Sequence, residues 1–85
     1  MNSLAHERNV PHAVSVKCTD KKLVVSLVDG RELSVPLAWF PRLEQATATQ
    51  RANYELLGEG EGVHWPELDE DISIEGLLQG QRVVR

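Results

Sequence analysis

Between Ala13 and Val35 the chain carries three apolar runs that share one buried face in one register and mix their faces in the next. Ala13-Val14-Ser15-Val16-Lys17-Cys18 alternates with the period of two expected of a half-buried strand. After the polar turn Thr19-Asp20-Lys21-Lys22, the run Leu23-Val24-Val25-Ser26-Leu27-Val28 is rich in β-branched residues. Asp29-Gly30 is a hairpin signal, and Arg31-Glu32-Leu33-Ser34-Val35 makes the third run. A two-residue Asp29-Gly30 loop sets Val25 opposite Ser34 and Leu27 opposite Glu32. A three-residue loop, Val28-Asp29-Gly30 with Gly30 left-handed in a bulge, sets Leu27 against Arg31, Val25 against Leu33 and Leu23 against Val35. A four-residue first loop adds Cys18 opposite Leu23, Val16 opposite Val25 and Val14 opposite Leu27. The apolar face is then Val14, Val16, Cys18, Leu23, Val25, Leu27, Leu33 and Val35. Because a slip of one residue turns this whole set outward, the three-residue loop is the expected one. The product is an antiparallel β-meander over 13–18, 23–28 and 31–35, with Val28 given up to the loop.

The next residues supply a cover for that face. Pro36 and Pro41 bracket Leu37-Ala38-Trp39-Phe40, which reads as a tight helical turn, and Arg42 to Ala46 as a second. Thr47-Ala48-Thr49-Gln50 has capping-box spacing and opens a helix from about Ala48 to Asn53. Leu37, Phe40, Leu43 and Ala46 recur at helical spacing and are expected to lie on the sheet. Core packing also outweighs a binding-platform reading of Trp39-Phe40 in a chain with so few aromatics. A second short hairpin is expected over 54–57 and 62–65. Its turn, Gly58-Glu59-Gly60-Glu61-Gly62, is not a phosphate loop: its intervening residues are acidic, and no Lys-Ser/Thr follows. Ser73 is a good N-cap for a last helix over 74–79, with Gly80 where a C-terminal cap belongs. The fold class expected is a two-layer α+β domain over 12–80, with a flexible segment 1–11 before it and a tail 81–85 after it.

At 85 residues there is room for one modest core. An apolar share of 41% argues against global disorder. No apolar run reaches the ~20 residues that cross a bilayer, and the start has no signal-peptide core, so no membrane partner is expected. One cysteine, Cys18, forms no internal disulfide, and a fold without staples suits a reducing cytoplasm. Net charge is −4, but it is unevenly spread: from Ala52 through Gln81 there are eight carboxylates and no Lys or Arg. An acidic half repels phosphate backbones and favours basic partners. Lys17, Lys21, Lys22 and Arg31 make at most a small basic spot, so no direct nucleic-acid contact is expected.

Chemistry-bearing arrangements are few. Asp69, Glu70 and Asp71 are adjacent carboxylates before a helix start, where solvated or capping acids are the rule. His64 with Asp69 and Asp71 is the metal alternative, since imidazole and carboxylates suit zinc or manganese, yet the spacing follows no metal motif. His64 in a strand beside Trp65 is more often a hydrogen-bonded edge or core residue. His6 and His12 lie in the N-terminal segment without fixed geometry, and no Ser-His-Asp or Cys-His pattern is present. No residue is assigned a catalytic, cofactor-binding or metal-ligating role. The expected partner-binding patch is Trp65, Glu67, Asp69, Glu70 and Asp71, an apolar anchor beside charge.

Several blocks together resemble one small bacterial family. They are Asp29-Gly30-Arg31, Val35 through Leu43, Ala46-Thr47, Gln50-Arg51, the Gly58–Gly62 turn, and His64-Trp65-Pro66-Glu67-Leu68-Asp69-Glu70-Asp71-Ile72-Ser73-Ile74-Glu75-Gly76-Leu77-Leu78. The family is domain-of-unknown-function family 2442, and the resemblance spans about Ala13 to Gly80. It implies a two-layer α+β fold and a bacterial cytoplasmic protein. Some members are encoded beside a small toxin-like partner and are regarded as antitoxins, and others carry an appended helix-turn-helix domain, which is not expected here. The family brings no catalytic residues. The expected function is a non-enzymatic interaction module, the antitoxin of a small basic toxin. The alternatives are an enzyme or metal protein using His64 and Asp69–Asp71, and a structural domain that pairs with its own copy as a homodimer.

Overall fold

A computed structural model describes residues 10–80. The segments expected to be flexible fall outside that range, except Val10 and Pro11; Val10 packs against the core. The meander is present as β1 (Ala13–Cys18), β2 (Lys22–Leu27) and β3 (Glu32–Pro36), in the order β1-β2-β3. The β2–β3 register is the one expected from burying one face, with Leu23 opposite Val35 and Val25 opposite Leu33. The Leu27 N–H donates to the Arg31 carbonyl at 2.8 Å, closing the three-residue loop. Gly30 sits in that loop at φ 97°. Asp29 shapes it by accepting from the Arg31 backbone N–H at 3.1 Å and from its guanidinium at 2.9 Å.

The β1–β2 register is as expected for Cys18 with Leu23 and Val16 with Val25, and then departs from it. A bulge between Ala13 and Ser15 places Ala13, not Val14, opposite Leu27. Ala13 is buried, and Val14 is 53% exposed on the outside. The cause is tertiary. The Ala13 N–H donates to the Gly60 carbonyl at 2.7 Å, and the His12 carbonyl accepts from Val28 at 2.8 Å. One residue must be extruded for both contacts to form.

The cover follows as a 3-10 turn (Leu37–Trp39), α1 (Pro41–Glu44) and α2 (Ala48–Ala52). Thr47 caps α2 with both halves of the capping box: its hydroxyl accepts from the Gln50 N–H, and the Gln50 side chain accepts from the Thr47 N–H. Leu37, Phe40 and Leu43 are buried, as their spacing implies, and Trp39 packs half-buried beside them.

The second half is a sheet rather than a hairpin. β4 (Glu55–Leu57), β5 (Gly62–Trp65) and β6 (Glu70–Ser73) pair in that order, antiparallel throughout. The third strand corrects the sequence reading, which expected a two-strand hairpin here and took Asp69, Glu70 and Asp71 as solvated or capping acids before a helix start. Glu70-Asp71-Ile72-Ser73 has one strong β-former, and its strand state is set by pairing with β5. The closing helix α3 (Ile74–Leu78) starts as expected, with the Ser73 hydroxyl accepting from the Gly76 N–H at 2.8 Å. One core joins Leu23, Val25 and Val35 of the first sheet, Val63, Trp65 and Ile72 of the second, and Leu43, Ile74 and Leu77 of the helices. This is an α+β fold of two antiparallel three-stranded sheets with short helices. Among the described residues no helix is long and apolar enough to cross a membrane.

Candidate functional site: the outer face of the second sheet

Alternation divides the second sheet cleanly. Leu56, Val63, Trp65, Glu70 and Ile72 turn toward the core, while Glu55, His64 and Asp71 turn outward. Register lines up the outward three in one row: Glu55 is opposite His64, and His64 is opposite Asp71. The His64 Nδ1 and the Asp71 Oδ1 form a hydrogen bond across β5 and β6. His64 is therefore held between two carboxylates, with the field of Asp69 added from the turn.

The hydrogen bond to Asp71 is the main reason that the imidazole pKa lies above its ordinary 6.5; the charges of Asp71, Glu55 and Asp69 add to it, and desolvation opposes it. The sign for stability follows. A raised folded-state pKa favours folding fully below the unfolded value and loses that contribution as pH rises through the folded value. Relative to His64→Gln, the native chain is thus expected to lose melting temperature as pH climbs from about 6.5 upward. The effect is small because the pair is open to solvent. An NMR titration of the imidazole should show a midpoint above 6.5 that falls back in Asp71→Asn.

The turn before β6 is braced from two sides. Arg42 Nη1 of α1 donates to the Asp69 carbonyl at 2.7 Å, and Asn53 Nδ2 donates to the Glu67 carboxylate at 2.9 Å. Asp69 sits at φ 52°, a left-handed conformation that aspartate tolerates better than most residues. Arg42 also brings a cation beside a stretch that has none of its own.

The five sequence candidates therefore separate. Trp65 is fully buried, its indole N–H donating to the Arg51 carbonyl at 3.0 Å and its ring tilted against Tyr54. Glu70 is 7% exposed, carried inward by its position opposite Trp65. These two are core residues and present no docking surface, which corrects the expectation of an aromatic anchor beside charge. Glu67, Asp69 and Asp71 are exposed. Glu55 belongs with them and was missed, because its place beside His64 depends on hairpin register. The metal alternative gains His64 with Asp71 but no third ligand: among the described residues no group of three or more His, Cys, Asp or Glu is placed to hold an ion.

Comparisons with known proteins give likeness of fold and sequence without an activity. Among curated proteins none matches. A crystal structure of a protein of unknown function from Rhodospirillum rubrum is 31% identical, with a TM-score of 0.75 over 88% of this chain and 93% of that one. The solution NMR structure of an uncharacterised protein from Chromobacterium violaceum is 29% identical, with a TM-score of 0.76 over 94% of this chain and 75% of that one. The family model described as "Protein of unknown function (DUF2442)" matches residues 13–83, nearly the whole chain, and the chain belongs to that family.

Proposed function

We propose that this chain is a non-enzymatic interaction module of the cytoplasm that docks a basic protein on the outer face of β4-β5-β6. The observation that carries the reading is the convergence of Glu55, Asp69 and Asp71 around His64 on an exposed sheet face. Among the described residues, no Lys or Arg is ion-paired to any of those three carboxylates. Surface carboxylates not ion-paired to Lys or Arg attract those residues of a partner, which speeds encounter and rejects acidic competitors. Strand pairing fixes Glu55 and Asp71, and Arg42 braces the turn that carries Asp69, so little ordering cost remains at binding. A small basic toxin held by its antitoxin is a partner of this character.

The test uses Glu55→Gln, Asp69→Asn and Asp71→Asn together, all at exposed positions. With the partner captured from the native host, identified and purified, association with the triple variant should be about tenfold slower at low ionic strength. Added salt should bring the native chain down toward the variant. Equal association rates for both proteins at low salt would refute the reading.

A further inference from the structure

The first sheet ends on β1, which among the described residues has no strand on its far side. In an antiparallel ladder, alternate residues turn their N–H and C=O groups to opposite sides. Val16 turns its own away from β2, since its N–H donates to the Tyr54 hydroxyl at 3.1 Å. Cys18 shares the parity of Val16, with no bulge between them, so its backbone groups face the same way. Beside them, between β1 and α2, lies a half-open cavity of about 320 Å³. That is the lower end of the size range of ligand sites. Val16, Cys18, Ala48, Ala52 and Tyr54 line it, together with the cations Arg51 and Lys17.

Arg51 is fixed in position, because it donates to the Leu43 carbonyl at 2.8 Å and to the Glu44 carbonyl at 2.6 Å. Thr19 and Asp20 complete the lining, so Arg51 and Lys17 face one acid there. The Cys18 thiol is raised in pKa by burial, with the Arg51 charge acting against that, so it stays neutral and serves as an apolar part of the lining.

We propose that this groove accepts an extended acidic segment of a partner protein, laid as a short strand along Val16–Cys18. With the Val16 N–H held by Tyr54, a peptide backbone supplies ladder partners for the Val16 carbonyl and the Cys18 backbone groups, to which no strand pairs among the described residues, and strand addition of this kind takes its affinity from main-chain hydrogen bonds. Side chains alternate along such a segment, so an apolar residue can rest on Ala48 and Ala52 while a neighbouring carboxylate meets Arg51 or Lys17. A second copy of this chain is a poor occupant, because Tyr54 and α2 fill the space that a full-length β1 partner needs. The groove and the outer face of the second sheet carry opposite charge, so this surface is separate from the basic-partner site and stands or falls independently of it.

The probe is an acetylated, amidated pentapeptide in which two valines alternate with three acidic residues, titrated into the isotope-labelled full chain by NMR. Saturable shifts are expected at the amides of Val16, Cys18 and Ala52, with a dissociation constant of about 1 mM or tighter at low salt. Methylating the peptide nitrogens should weaken binding about tenfold, as should Ala48→Trp, which fills the groove from an exposed helical position. The methylated peptide needs no protein variant, so the test survives a misfolded Ala48→Trp. Absence of saturable shifts up to that concentration would overturn the proposal. So would equal binding by a lysine-for-acid version of the peptide, shifts that map elsewhere, or preference for a short oligouridylate.

Discussion

Trp65→Ala is expected to cost about 3 to 5 kcal/mol, close to the whole stability of a domain of this size. Trp65 is fully buried and heads the core residues by volume. Removing its ring opens a cavity shared by the second sheet and the helical cover, and leaves the Arg51 carbonyl without the indole N–H it accepts at 3.0 Å. For a domain of this length each kcal/mol moves the melting temperature by roughly 4 to 8 °C, so a drop of about 20 °C or outright unfolding is the expected readout. Trp65→Phe keeps most of the packing and loses the hydrogen bond, and should cost about 1 to 2 kcal/mol. Calorimetric melts of the two variants separate packing from hydrogen bonding. An alanine variant melting within a few degrees of the native chain would show that Trp65 is not the centre of the core.

Gly60→Ala is the second large effect, and its comparison with Gly30→Ala isolates the cause. Both glycines have positive φ, 99° and 97°. A Cβ at Gly30 meets nothing within 4 Å, so only the backbone conformation resists and the expected cost is about 1 kcal/mol. A Cβ at Gly60 lies 2.2 Å from the Ala13 carbonyl oxygen and 2.9 Å from its nitrogen. Those are backbone atoms, one of them donating to the Gly60 carbonyl, so neither moves without breaking the contact between the two sheets. The expected cost is about 3 kcal/mol or more. Urea unfolding of the pair checks it: similar midpoints would mean that the sheets do not depend on this junction.

The acidic site was legible in its residue types and illegible in its faces. Asp69 and Asp71 were named from sequence and are exposed, yet Trp65 and Glu70, named with them, point into the core. The difference is one of parity. Once Glu70–Ser73 is a strand, Glu70 and Ile72 share one side, and Asp71 and Ser73 share the other. Without that strand, four polar and acidic residues after Pro66 look alike. Glu55 could have been found by extending the hairpin arithmetic through the Gly58–Gly62 turn, which puts it opposite His64.

Features whose physical cause acts over a few residues were readable in the residues alone. The three-residue loop at Gly30 follows from keeping Leu23, Val25, Leu27, Leu33 and Val35 on one face. The starts of α2 and α3 follow from Thr47 and Ser73, whose hydroxyls accept from N–H groups three residues on. Tertiary structure alone decided the rest. The extrusion of Val14 depends on the Ala13 contact with Gly60, and the bracing of the acidic turn on Arg42 reaching the Asp69 carbonyl from 27 residues away. The β6 strand depends on β5 offering a ladder to a segment with little strand preference of its own. Such contacts are chosen by which backbone groups are left to satisfy after the core has closed, and that inventory exists only in the folded chain.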